Sequence, residues 1–151
     1  MTQIAQIQGE ITPIKEKIAE IGPVKNFSRP ADRDPLTERI IACCYKVHTE
    51  LGSGFNEKVY HNALKITLEE AGLKYETEKE YKIVYKSKRV GSLRLDLVIE
   101  DSVIVEIKAL ACRLPELFKY QVISYLKVST LKIGLLINFG SGSCEIKRLS
   151  N

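Results

Sequence analysis

Asp96, Glu106 and Lys108 interrupt an otherwise apolar stretch, "DLVIEDSVIVEIK", at residues 96–108. Read as two strands, the stretch alternates faces with period two. Leu93, Leu95, Leu97 and Ile99 then share one face and Arg94, Asp96 and Val98 the other. In the next strand Val103, Val105 and Ile107 oppose Ile104, Glu106 and Lys108. A three-residue loop, Glu100 to Ser102, sets Asp96 against Glu106 and Arg94 against Lys108 across an antiparallel pair. Two carboxylates about 4 Å apart repel by about 4 kcal/mol at an effective dielectric of about 20. A cation between them, or a proton on one of them, relieves the conflict.

Mg²⁺ takes oxygen ligands and keeps several waters, so two carboxylates and a backbone carbonyl leave positions for substrate and an attacking water. Lys108, on the face of Glu106, is then placed to orient or deprotonate that water, or to neutralise charge on phosphorus. The competing reading is a charged, solvated sheet face, because two acids and a lysine at this spacing form a short pattern.

Helical geometry adds candidates. A helix over about residues 56–71, ended by Gly72, carries Tyr60, Leu64 and Leu68 on one face, and Glu57 falls on that same face one turn earlier. Its carboxylate is expected to point to the core side; a plain glutamate favoured by the helix dipole is the alternative. Gln121 and Tyr125 are an i, i+4 pair on a stripe with Leu114 and Phe118. An interior hydrogen bond explains that pair equally well. Lys86, Lys88, Arg89, Arg94 and Lys119 are candidates for phosphate contacts, or for an ordinary solvated surface.

The elements that must position these residues read in a consistent order. Asp34 caps a helix with Pro35 at its first position, and Leu36, Ile40, Cys44, Val47 and Leu51 stripe it up to Gly52. After the second helix the period changes to two, giving strands at "YETEKEYKIVYK", "VGSLRLDLVI" and "VIVEIK". Pro115 opens a helix to about Lys127, "KIGLLINF" reads as a strand buried on both faces, and "CEIKRL" as a last, edge strand. The order α-α-β-β-β-α-β-β predicts an α/β fold, a mixed central β-sheet flanked by helices.

The chain has 151 residues, 44% hydrophobic and 28% charged, which suits one globular domain and an arm. Isoleucines at 4, 7, 11, 14, 18 and 21 follow a heptad pattern, interrupted at Gly9 and Pro13. Residues 1–33 are expected to form this arm and a linker, and residues 34–151 the folded domain. The stripe over residues 4–21 must pack on something, either its own domain or another copy in a homo-oligomer. No apolar run approaches a membrane span and the first residues lack a signal-peptide pattern, so a cytoplasmic location is expected. Cys43 and Cys44 fall within a helical pattern and read as buried, reduced thiols. The net charge of +4 permits an acidic partner without demanding one.

"GFNEKVY", Gly54 to Tyr60, resembles the G-x-x-E-x-x-Y signature of the GxxExxY protein family, and "RLDLVI", "VIVEIKAL", "QVISYLK" and "IGLLINFG" are similar to its later blocks in the same order. That family is placed among the PD-(D/E)XK, restriction-endonuclease-like nucleases. The resemblance covers about residues 36–149 and implies a metal-dependent phosphodiesterase core. Asp96, Glu106 and Lys108 then stand as its D and E-x-K elements, Glu57 as the helix glutamate that adds a metal ligand, and Gln121 as the motif glutamine, with Tyr60 and Tyr125 in support. Leu95 stands where a proline can precede the aspartate. The expected activity is Mg²⁺- or Mn²⁺-dependent hydrolysis of nucleic acid, with DNA the expected substrate. The rivals are a nucleic-acid-binding module that does not cut and a protein-interaction subunit joined through its arm.

Overall fold

The computed structural model of the chain describes residues 34–151, so the isoleucine arm and linker expected over residues 1–33 lie outside the described residues. Helix α1 runs Pro35–Leu51 and buries Ile40, Cys43, Cys44 and Val47. It stops where Gly52 takes φ +68° and donates its N–H to the His48 carbonyl at 2.8 Å. Helix α2, Glu57–Glu70, starts at Asn56, whose side chain accepts from the Val59 N–H at 3.1 Å. Gly72, at φ +71°, closes it with a paired bond set: Gly72 N–H to Glu69 O and Leu73 N–H to Leu68 O. Leu68 and Leu73 are both buried beside this cap, which is the apolar contact such a terminus uses.

Strands β1 (Tyr75–Tyr85), β2 (Lys88–Ile99) and β3 (Val103–Lys108) form an antiparallel meander. Its two connections have positive φ at Lys86 and Ser87 and at Glu100 and Asp101. That is the backbone sense a tight hairpin needs to follow the strand twist. Helix α3 (Glu116–Ser129) carries the chain over to β4 (Ile133–Asn138), which lies parallel to β3. Strand β5 (Glu145–Ser150) adds antiparallel at the edge, for a sheet order β1-β2-β3-β4-β5. Residues Gly134 to Asn138 of β4 are buried, as expected of a strand covered on both faces.

Two apolar layers hold the sheet. Helices α1 and α2 pack on Leu97, Ile99, Val103, Val105, Ile107, Leu135, Ile137 and Phe139. On the other face, Leu126 of α3 packs with Leu95, Val98 and Ile104, and Val122 with Leu136. The architecture is the expected α/β one, and it corrects the reading of β2. Leu95 and Leu97 do not share a face: Leu93 and Leu95 join the α3 layer, while Leu97 and Ile99 join the α1/α2 layer. The inversion falls on Asp96. Across from it in β1, between the pairs Thr77↔Leu97 and Lys79↔Leu95, Glu78 adopts φ +52° and interrupts the regular ladder.

The β2–β3 pairing also ends sooner than an uninterrupted hairpin would. It covers Leu97–Ile99 against Val103–Val105, and the strands part at Asp96 and Glu106. Arg94 consequently does not oppose Lys108. It pairs with Glu80 of β1, an opposite-charge match across the strands.

Candidate active site

Asp96 occupies the point where β2 leaves β3, and its side chain replaces the missing ladder. Oδ2 accepts the Ile107 N–H at 3.1 Å, while the Asp96 carbonyl lies 3.3 Å from Nε2 of His61 on α2. A carboxylate that takes a backbone N–H in this way is fixed in direction. The gap opens into a cleft of about 550 Å³ lined by Glu57, Lys58, His61, Lys65, Asp96 and Ile107, among others.

Glu106 comes from the other strand and faces the α3 layer, 6% exposed. Burial pushes its carboxyl up to about 8 from an ordinary 4.5, and the Asp96 charge pushes in the same direction. The Lys108 ammonium, 3.7 Å from Oε1, offsets only part of this, and Glu57 adds a smaller upward push. Lys108 is itself mostly buried and lies 4.4 Å from the centroid of the Phe118 ring, whose face holds the cation without neutralising it.

Helix α3 supplies the opposite wall. The Tyr125 hydroxyl is pushed up to about 12 by burial, with the charges of Glu106 and Asp96 acting in the same sense, so it stays protonated beside them. One turn earlier, Gln121 buries its Oε1. Glu106 Oε2 and Gln121 Oε1 are the two buried side-chain polar atoms among the described residues that have no hydrogen-bond partner. Both are acceptors. A buried acceptor without a donor costs about 1–3 kcal/mol, more for a charged one, and a cation supplies what these oxygens lack. The donor set, carboxylate oxygens with no soft ligand, suits a hard divalent ion.

Glu57 departs from the sequence expectation. It is exposed at the mouth of the cleft and does not point to the core, because the start of α2 overhangs the apolar layer that takes Tyr60, Leu64 and Leu68 one turn further on. Among the described residues, no three His, Cys, Asp or Glu side chains gather into a metal-holding group. Asp96 and Glu106 therefore form the close pair, with Glu57 acting from a greater distance. Tyr60 serves the loop before α2. Its hydroxyl donates to the Gly52 carbonyl at 2.6 Å and accepts from the Phe55 N–H at 3.3 Å, while its ring stacks on Phe139 at 4.8 Å. This bracing sets where α2 begins and hence where Glu57, Lys58 and His61 stand.

The basic candidates scatter. Lys119 is held by Glu116 at 2.6 Å, Arg89 lies 3.5 Å from Glu80, and Lys86 sits over the Tyr85 ring. Lys86, Lys88 and Arg89 belong to the far end of the β1–β2 hairpin, outside the cleft. The cations that do line the cleft, Lys58 and Lys65, together with His61, were not singled out by the apolar periodicity. Their i, i+3 and i+7 relation is nevertheless written in the sequence as one helix stripe.

A sheet that parts at an aspartate, with a Glu-x-Lys strand beside it and a helix across it, defines a class of protein, and comparison identifies the class. The chain belongs to the PD-(D/E)XK nuclease superfamily, whose family model matches residues 34–149. Members of this superfamily are generally nucleases and usually use divalent metals. No curated protein matches the chain. Among solved structures it is similar to the one titled "Crystal structure of SSO0001", with 24% identity and a TM-score of 0.52. The match covers 76% of this chain and 57% of that one, a likeness of fold alone. Among the described residues, no helix is long and apolar enough to cross a membrane.

Proposed function

We propose that this chain is a Mg²⁺- or Mn²⁺-dependent nuclease of the GxxExxY family that hydrolyses phosphodiester bonds in DNA inside the cell. One observation carries the reading: the buried Glu106 carboxyl is forced up to about 8 and keeps an oxygen with no partner, beside an Asp96 that itself lines the cleft. No structural role needs that arrangement, since a hydrophobic pair would fill the sheet at lower cost.

Asp96 and Glu106 would hold the ion, with Glu57 placed to add to the charge at the cleft mouth. A bound divalent ion supplies Lewis acidity toward a phosphoryl oxygen and lowers the pKa of water. Asp96 is held in direction by the Ile107 N–H and lines the cleft. Lys108, braced on Phe118, donates hydrogen bonds to charge building on a phosphate oxygen, or steers the attacking water. Tyr125 keeps its proton and can donate it in a hydrogen bond, and Gln121 offers its amide from the same wall. Lys58 and Lys65 flank the cleft as phosphate contacts, while Lys86, Lys88, Arg89 and Arg94 are further phosphate contacts on the β1–β2 hairpin, outside the cleft. Lys119, already engaged by Glu116, is a weaker contact. Four free thiols, with Cys43 and Cys44 buried, support a reducing, cytoplasmic compartment.

The test is cleavage of linear, circular and single-stranded DNA, and of RNA, with Mg²⁺ or Mn²⁺, by the wild type and by Glu106→Ala. Metal-dependent products that vanish in the variant are expected. Nucleic acid bound but never cut, in every condition, would replace this reading with a non-cutting binding module.

A further inference from the structure

Between Tyr81 and Leu95 the chain carries five cations, Lys82, Lys86, Lys88, Arg89 and Arg94, and no acid, while Glu80, just before it, faces Arg94 and lies 3.5 Å from Arg89. The whole chain is only +4, so the remainder is slightly negative and the positive charge is concentrated in this one segment. The segment is also where the sheet thins. Because β3 pairs with β2 only from Leu97 to Ile99, β1 and β2 continue alone as a two-stranded ribbon from the Lys79–Leu95 pair to the turn at Lys86 and Ser87. Its base is covered, with Tyr81, Leu93 and Leu95 packing against the α3 layer. Among the described residues nothing covers its end: Val84, Tyr85 and Val90 are each more than 60% exposed. The register shift after Ile83 bulges the ribbon there and increases its twist.

We propose that this ribbon is a grip for duplex DNA that enters the major groove, making B-form duplex DNA the substrate of the adjacent cleft. The proposal rests on the nuclease reading and names its substrate. A two-stranded ribbon, with strands about 4.8 Å apart, fits a groove about 12 Å wide. Flanking cations meet the two phosphate rails, and the exposed Val84, Tyr85 and Val90 meet base edges and thymine methyl groups. The deep, narrow major groove of duplex RNA does not admit such a ribbon. The root of the ribbon is Leu95, the residue before Asp96, so a duplex held by the ribbon lies beside the parted strands.

The full chain in EDTA should bind a short DNA duplex, followed by fluorescence anisotropy, at least about tenfold more tightly than the single strand or an RNA duplex of the same sequence. Combining Lys86→Ala, Lys88→Ala and Arg89→Ala should lower the slope of log affinity against log salt by about 3 and remove the preference. Tyr85→Ser with Val90→Ser should remove the preference and leave the slope unchanged. All five positions are exposed, so an unchanged thermal midpoint verifies the fold of each variant. Equal binding of duplex and single strand, or a triple variant with wild-type affinity and slope, would overturn the proposal. So would a concentration-dependent dimer in sedimentation that the Tyr85→Ser, Val90→Ser variant dissolves. Cleavage with Mg²⁺ separates the two readings: ribbon-dependent binding without cutting sinks the nuclease and keeps the grip, while cutting by a triple variant with unaltered binding does the reverse.

Discussion

Glu106→Gln in metal-free protein is expected to be stabilising, and increasingly so as the pH rises. Glu106 titrates near 4.5 when exposed and near 8 in the fold. Between these values the native state binds a proton that the unfolded chain has already released. Unfolding then loses protons, so the slope of stability against pH is negative. This is the reverse of a salt-bridged acid. The contribution of Glu106 is intact below about pH 4.5 and is lost as the pH climbs to about 8. At about 1.36 kcal/mol per unit, the loss is about 3 kcal/mol at pH 7 and at most about 5 kcal/mol above pH 8. A typical domain holds only about 5–15 kcal/mol in total, so the effect is large. Gln keeps the shape and cannot ionise. Urea unfolding at pH 5, 7 and 8.5 in EDTA should therefore show the Gln variant gaining on the wild type by about 3 to 4 kcal/mol across the range. Using the difference cancels the titrating groups that are not coupled to Glu106. Mg²⁺ at about a hundredfold its Kd should restore about 2.7 kcal/mol to the wild type at pH 7, and much less to the variant. A difference that stays flat with pH would refute the buried, coupled carboxyl pair.

Lys108→Met should cut the cleavage rate by about 10²- to 10³-fold while the Mg²⁺-induced stabilisation remains, read by parallel kinetics and thermal unfolding. Asn138, fully buried in β4, bonds the Leu110 N–H and carbonyl, the Cys112 carbonyl and the Gly140 N–H. Asn138→Ala strands all four and should cost about 3–5 kcal/mol in urea unfolding. Tyr60→Phe removes the bond to the Gly52 carbonyl and should cost about 1–2 kcal/mol, measured the same way. Gly140→Ala places a Cβ 2.4 Å from the Ala109 and Leu110 backbone, so folded, soluble protein should be largely lost on expression.

The sequence alone determined where most elements start and stop, because those signals are local. Asn56 caps α2, Gly52 and Gly72 supply positive φ, and a change of period from 3.6 to 2 marks the entry to the sheet. It also brought Asp96 and Glu106 together, since a three-residue loop between two strands admits few registers. What local pattern could not contain is where a strand abandons its partner. Only the tertiary structure decided that β2 turns over at Asp96, sending Leu95 and Leu97 to opposite layers, because that follows from competition between α3 and α1/α2 for the same apolar residues. The early parting of β2 from β3 leaves Arg94 with Glu80, and the start of α2 leaves Glu57 at the rim of the cleft. The crossover from β3 through α3 to β4 then sets Phe118 and Tyr125 on the charged face of β3, and makes an acid that the sequence merely lists into one that resists ionising. Burial is a property of everything packed around a residue, and no spacing along the chain records it.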